Sequence, residues 1–393
     1  MIATADAANP EVTVGTTDTR AWRDLDGNGL PFDANGNLQL NELTASPATP
    51  TFGKNIPTST TTDPATLTGW GVRGYNWEYA ASVQHEIAPR WAVNGGYYIR
   101  WFGNQTITHD TRFNAASYDS FCITAPSDPN LPGGGNYQVC GVEDLKPSVA
   151  AQNLPQANVI TFASNYGGMT NKFYGFDITT NKRFANNAFV QVGVNAQRSV
   201  YDYCAIANQL GPVVATFSGV SPVTTASTVY STTSSTGTET YADGSRSCHE
   251  VFPFRPDVKV LGSYTLPLDI MISGTYQHSQ GPNILANWSV SNATVLPGLG
   301  RPLANGVTSK LVNIIQPGQD YGISLDQLDL RASKRLKIDR YRFRVDADLY
   351  NVFNSNWPYT LTNTFTTAAT SQWLRPTNVL QGRLFKIGAQ FDF

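Results

Sequence analysis

Apolar side chains occupy every second position at the end of the chain: Phe385, Ile387, Ala389, Phe391 and Phe393 alternate with Lys386, Gly388, Gln390 and Asp392. A period of two predicts a strand with one apolar and one polar face. The pattern recurs upstream in pairs. Tyr75, Trp77, Tyr79, Ala81, Val83 and Ile87 alternate with Asn76, Glu78, Ser82, Gln84 and Glu86, and after Ala88, Pro89 and Arg90 the alternation resumes through Trp91, Val93, Tyr97, Ile99 and Trp101. Tyr174, Phe176 and Ile178 lead through a turn at Ala185, Asn186 and Asn187 into Val190, Val192 and Val194. Val258, Val260 and Tyr264 lead past Pro267 and Leu268 into Ile270, Ile272 and Tyr276. Leu328, Leu330, Ala332 and Leu336 lead through Ile338, Asp339 and Arg340 into Tyr341, Phe343, Val345, Ala347 and Leu349. Four hairpins and a closing strand predict about nine strands.

The connections are of two kinds. Turns inside the hairpins take about two or three residues, whereas the links between hairpins run over roughly 105–157, 201–255, 280–322 and 354–377. A soluble sandwich also contains amphipathic strands, but it rarely sorts its loops this way. The regular alternation predicts an all-β fold, a portion of an antiparallel up-and-down transmembrane barrel with short periplasmic turns and long extracellular loops. Aromatic residues near the strand ends fit an interfacial girdle. Two regions are expected: a long, loop-rich extracellular segment over 1–70 and the barrel part over 71–393.

Composition agrees with this picture. Charged residues are 14% of the 393 and aromatic residues 11%, a low-charge, aromatic-rich balance that suits lipid-facing and lumen-facing positions in one chain. A net charge of -2 argues against nucleic acid as a partner. Runs long enough for a transmembrane helix are absent, and MIATADAANPEV has no basic segment followed by an apolar core, so an outer-membrane destination requires a preceding segment. The chain therefore reads as a fragment.

Four cysteines fall in long polar stretches, Cys122 near Cys140 and Cys204 near Cys248. Pairing by proximity would close two loops worth about 3 and 4 kcal/mol in the chain-entropy model, in an oxidising compartment; free thiols are the alternative. Their spacing does not fit a zinc site. Asp24, Asp26 and Asn28 have the first, third and fifth spacing of a calcium loop, but the twelfth position is Asn35 rather than Glu, which favours a loop held by Asx turns over a calcium site. On the polar parity of the last hairpin, Asp329, Arg331, Arg335, Arg342, Arg344, Asp346 and Asp348 could cross-pair as a structural charge ladder. His85, His109, His249 and His278 are scattered, and neither a nucleophile elbow nor a phosphate-binding glycine loop is present, so no catalytic residue, cofactor or metal motif is expected and the chain does not read as an enzyme.

Taken together, GWGVRGYNWEYAASVQHEI, GGYYIRWFGN, SDPNLPGGGNY, DADLYNVFN and RPTNVLQGRLFKIGAQFDF resemble the C-terminal barrel portion of TonB-dependent outer-membrane receptors, of the Oar-like branch whose N-terminal part is similar to a carboxypeptidase regulatory domain. The resemblance runs from about Thr19 to Phe393. It implies a barrel of about 22 strands closed by an N-terminal plug, energised by the TonB system through that plug and passing a bulky extracellular ligand of unknown identity. An odd set of about nine strands then needs the missing plug and barrel half. Phe385, Ile387, Phe391 and above all the terminal Phe393 resemble the signal read by the barrel-insertion machinery, and outer-membrane lipid is the expected surrounding. Loop aromatics Tyr118, Tyr137, Trp288 and Trp373 would either meet the ligand or pack the loops together. A non-transport surface protein or adhesin with a small self-closed barrel is the other class the sequence leaves open.

Overall fold

The computed structural model describes residues 12–14, 20–33, 35–43, 55–57, 60–152, 154, 157–211, 214–216, 238–240, 248–338 and 341–392. Among these, every alternating stretch is a strand: β1 (Tyr75–Ala88), β2 (Trp91–Gly103), β3 (Thr170–Arg183), β4 (Phe189–Asp202), β5 (Arg255–Leu266), β6 (Ile270–Ser279), β7 (Leu325–Ile338), β8 (Tyr341–Tyr350) and β9 (Leu384–Asp392). Each lies next to its neighbour in sequence, and every pair is antiparallel, in the order β9-β8-β7-β6-β5-β4-β3-β2-β1. The short strand His249–Val251 adds to the end of β4. An all-β antiparallel fold is thus what the chain forms. No helix among the described residues is long and apolar enough to cross a membrane.

Such a meander puts all short turns at one end and all long connections at the other. The short turns are tight because the chain enters the left-handed region there: Arg90 has φ 64°, Asn187 φ 60°, Leu268 φ 67° and Asp269 φ 53°. Positive φ matches the twist of two hairpin strands, and Asn tolerates it better than the branched Leu268 does. The turn expected at Asp339 and Arg340, and the terminal Phe393, lie outside the described residues.

Register makes the sheet two-faced as a whole. Directly opposed residues share a face, and one row runs Trp91, Lys182, Val190, Gly262, Gly274, Leu330, Leu349, Phe385 across β2 to β9. That row starts beside a short turn and ends at the loop-side start of β9, so the strands are staggered. On this face apolar side chains stand free: Val83 is 73% exposed, Ile387 69%, Trp77 62% and Ile178 51%. Phe343 and Phe391 touch at 5.5 Å near the turn end. Exposed apolar side chains thus recur along this face from β1 to β9.

The core lies elsewhere, in the long connections. Phe121, Val139 and Val142 from the first, Ile284, Val290, Val295, Val312, Ile314 and Ile315 from the third, and Phe365 from the fourth form one buried cluster. These connections are not plain loops. The hairpin of Tyr118–Thr124 and Gln138–Leu145 packs beneath the helix Asn292–Leu299, and Ser309–Asn313 pairs with Asn287–Ser291. A Cβ at Gly298 would stand 2.0 Å from the Cys122 carbonyl oxygen, so the helix can approach only because position 298 has none. A second, smaller core of Ile107, Ala163, Ile206 and Leu210 lies between the first and second connections. From the 1–70 region, Thr60–Thr62 runs parallel to Asn158–Phe162 in that part of the cap.

Candidate functional site

The polar parity of the sheet forms a continuous face of its own. Glu78 of β1 pairs with Arg100 of β2. On β2, a Cβ at Gly96 would come within 2.7 Å of both the Tyr98 hydroxyl and Asp177 Oδ1 of β3, so glycine is what lets these two groups lie over the sheet. Further along, Gln277 Nε2 donates to Gln327 Oε1 at 2.9 Å and Gln327 Nε2 to Asp329 Oδ1 at 3.0 Å. Arg331 grips Asp348 with two nitrogens, Nε to Oδ1 at 2.5 Å and Nη2 to Oδ2 at 3.0 Å. Ser333 Oγ donates to Asp346 Oδ1 at 2.6 Å, and Arg344 Nε to Asp346 Oδ2 at 3.1 Å.

Of the charged residues predicted as a ladder, Arg331, Arg344, Asp346 and Asp348 are therefore drawn together. Asp329 does something different: it accepts the Asn351 backbone N–H at 2.7 Å and anchors the exit of β8. Arg335 stands opposite Arg344, and Arg342 opposite Asp392, in the strand register. Charged, planar and hydroxyl groups fixed along one face can hydrate that face and hold a polar solute loosely.

Asn351 is a residue the sequence reading passed over. It is 2% exposed with φ 50°, donates to the Ser355 and Gln381 carbonyls at 2.9 and 3.0 Å, and accepts the Ser355 N–H at 2.8 Å. Only a short amide side chain serves a left-handed position while bonding backbone in this way. The phrase DADLYNVFN carried that signal, since its two asparagines, 351 and 354, both take positive φ.

Over the loop end of the sheet, the cap is clamped by polar groups that sequence spacing could not reveal. Arg301 reaches Asp144 at 2.5 Å, Asp119 at 2.8 Å and the Leu145 carbonyl at 3.1 Å. Lys310, 4% exposed, donates to the Glu143 carbonyl. Cys122 and Cys140 are disulfide-bonded across paired strands, Cα atoms 4.0 Å apart, and Cys204 is bonded to Cys248 at 4.8 Å. The loop aromatics pack the cap: the Tyr137 hydroxyl donates to the Ile314 carbonyl at 2.8 Å, Trp373 Nε1 to the Leu285 carbonyl at 2.8 Å, Phe365 lies between Trp288 and Trp373, and Tyr118 stacks edgewise on Phe113.

The four histidines stay apart. His109 is 8% exposed with Nε2 3.0 Å from the Tyr166 hydroxyl, and burial holds its pKa below the usual imidazole range. His249 and His278 each face one aspartate, Asp202 at 2.9 Å and Asp326 at 3.0 Å. Glu250, beside the end of β4, has its carboxyl pushed up to about 7 by burial. In the 20–43 segment, Asp24, Asp26, Asn28 and Asp33 make the expected Asx turns, accepting the N–H groups of Gly27, Asn28, Leu30 and Asn35. Asp24 and Asp26 also meet a residue the sequence did not single out, Glu42. Asn28 lies beside them: its amide donates to Asp26 Oδ2 at 2.8 Å and its Oδ1 accepts the Leu30 N–H at 2.6 Å.

Comparison with known proteins gives little sequence-level kinship: no family model and no curated protein matches the chain. Among solved structures it is similar to the outer membrane transporter YddB from Escherichia coli, with a TM-score of 0.38 and 12% identity, over 85% of this chain and 34% of that one. The chain thus spans about a third of that transporter's length.

Proposed function

We propose that the chain is part of an outer-membrane β-barrel transporter of the TonB-dependent, Oar-like kind, in which the polar face lines the passage and the cap closes it on the extracellular side. One observation carries this reading: a single register places an exposed apolar face and a connected polar face back to back across all of β1 to β9. Lipid replaces water on the first face without cost to its apolar side chains, while the second keeps its ions hydrated. Strands of 9 to 14 residues are long enough to span a bilayer at a tilt. Lys182 over the Trp91 ring at 4.0 Å, near the turn end, has the form of a side chain rising toward an interface.

Among the described residues, β1 and β9 are each paired on one side only. Lipid cannot satisfy the free N–H and C=O groups of such edges, and on this proposal further strands continue the sheet. On this proposal they come from the N-terminal half of the same receptor, together with its plug and its contact to the TonB system. The role is conduction without catalysis, with outer-membrane lipid, the barrel-insertion machinery and an extracellular ligand as partners.

Spin labels at single introduced cysteines test the orientation in reconstituted vesicles. Labels replacing Val83, Ile178 and Ile387 should be open to oxygen, and labels replacing Gln84, Thr179 and Lys386 to a water-soluble nickel chelate. Equal nickel access at both sets would end the membrane reading. Planar-bilayer recording tests the partner strands: the chain alone should give no discrete conductance. A stable unitary pore from this chain would instead favour the small self-closed barrel.

A further inference from the structure

We infer that the segment 20–43 holds a calcium ion between Asp24, Asp26 and Glu42, a site independent of whether the sheet serves transport. One carboxylate oxygen from each of the three lies within 4.8 Å of the others. Three carboxylates this close repel one another unless a cation or proton intervenes. Exposed acidic groups often cluster with no ligand, so the cluster by itself would not identify a site.

Glu42 supplies the second, separate observation. It is only 3% exposed, in a segment whose other residues are largely open to solvent. Its Oε1 accepts the backbone N–H groups of Leu25 at 2.8 Å and Asp26 at 3.3 Å, which fixes the carboxylate against the Asp24–Asp26 turn. Its Oε2 is buried and has no hydrogen-bond partner. A carboxylate oxygen left bare in the interior is costly, and a metal ion shared with two neighbouring carboxylates satisfies it.

The chemistry of the ion follows from the donors. All are hard oxygens, with no nitrogen or sulfur in the cluster, which excludes a soft-metal preference. Calcium takes oxygen ligands at about 2.3–2.6 Å, so oxygens on opposite sides of the ion stand about 5 Å apart; magnesium needs about 2.0–2.1 Å and near-ideal octahedral geometry. Oxygens that all lie within 4.8 Å of one another fit a single coordination sphere, and calcium's flexible geometry asks less of them than magnesium's octahedron. The remaining positions fall to water on the exposed side of Asp24 and Asp26. Glu42 takes the part that the twelfth residue plays in an EF-hand, but from farther along the chain, because the second turn at Asp33 is inserted between.

Calorimetric titration of the full chain, refolded in detergent free of lipopolysaccharide, tests the site with calcium chloride and magnesium chloride. We expect one saturable calcium site with a dissociation constant of about 10⁻⁴–10⁻³ M, the range of extracellular modules. Magnesium should bind at least tenfold more weakly. Glu42→Gln, which keeps the shape, and Asp26→Asn, which alters an exposed side chain, should each weaken calcium at least tenfold; Asp33→Asn in the neighbouring turn should leave it unchanged. No saturable calcium binding, undiminished binding in both Glu42→Gln and Asp26→Asn, or equal affinity for magnesium would overturn the assignment.

Discussion

Ile314 in the cap is fully buried, while Ile178 in β3 is 51% exposed. The same side chain stabilises one region by leaving water and equips the other to remain in contact with its solvent. The cap is therefore organised like a soluble protein, with a core, buried ions and two disulfides, and the sheet like a wall with no core. The difference teaches where mutations should be felt.

The largest effect is expected from truncation in the cap. Ile314→Ala should cost about 2–5 kcal/mol of cap stability, read as lost amide-exchange protection in 118–145 and 284–315 while β1 to β9 stay protected. If protection falls equally in both regions, they are one cooperative unit and the contrast fails. In the sheet, Ile178→Ala should be nearly silent in lipid, whereas Ile178→Arg should cost about 2–4 kcal/mol in bilayers, measured by urea titration of vesicles. Tolerance of Arg there would break the comparison from the other side.

Asn351 joins the two regions. Asn351→Ala removes its side-chain hydrogen bonds and strains the left-handed backbone, an expected loss of about 2–3 kcal/mol, with increased exchange in 351–383 as the sign that β8 and the fourth connection have separated. The smallest effect belongs to pH. Glu250 titrates at about 7 in the folded chain against 4.5 as the ordinary value, so the folded state holds its proton more tightly and stability falls as pH rises from about 4.5 through 7. Glu250→Gln should therefore be more stable than the parent at pH 8, by about 1–2 kcal/mol once the roughly 3 kcal/mol of the full shift is discounted for solvent screening at the sheet's end, and indistinguishable from it at pH 4. A gain that persists at pH 4 would point to packing instead of charge.

These differences also explain what could be read from the chain. The sheet was legible because its information is local: Val83 and Gln84, or Phe385 and Lys386, differ in face by being neighbours, and a period of two needs no partner to be seen. Short turns against long connections gave the meander in the same way. The cap was opaque because its contacts are remote. Tyr137 bonds the backbone of Ile314, and Arg301 bonds Asp144, across separations that no periodicity marks. Long polar connections rich in Thr, Ser and Gly concealed a core whose apolar members come in short groups such as Val312, Ile314 and Ile315. In the 20–43 segment the Asx turns were read correctly, but Glu42 was missed because a fixed twelve-residue spacing was the template, and Asp33 with its own turn displaces the last acidic residue beyond it.

The main cap core draws Phe121, Ile314 and Phe365 from three different connections, the last of them between β8 and β9. That arrangement makes completion of the core depend on the most C-terminal of the connections. Until the fourth connection has emerged, Trp288 lacks Phe365 and the Leu285 carbonyl lacks Trp373, so the core contributed by the earlier connections is incomplete. The main cap core is thus complete only once the chain beyond β8 is in place.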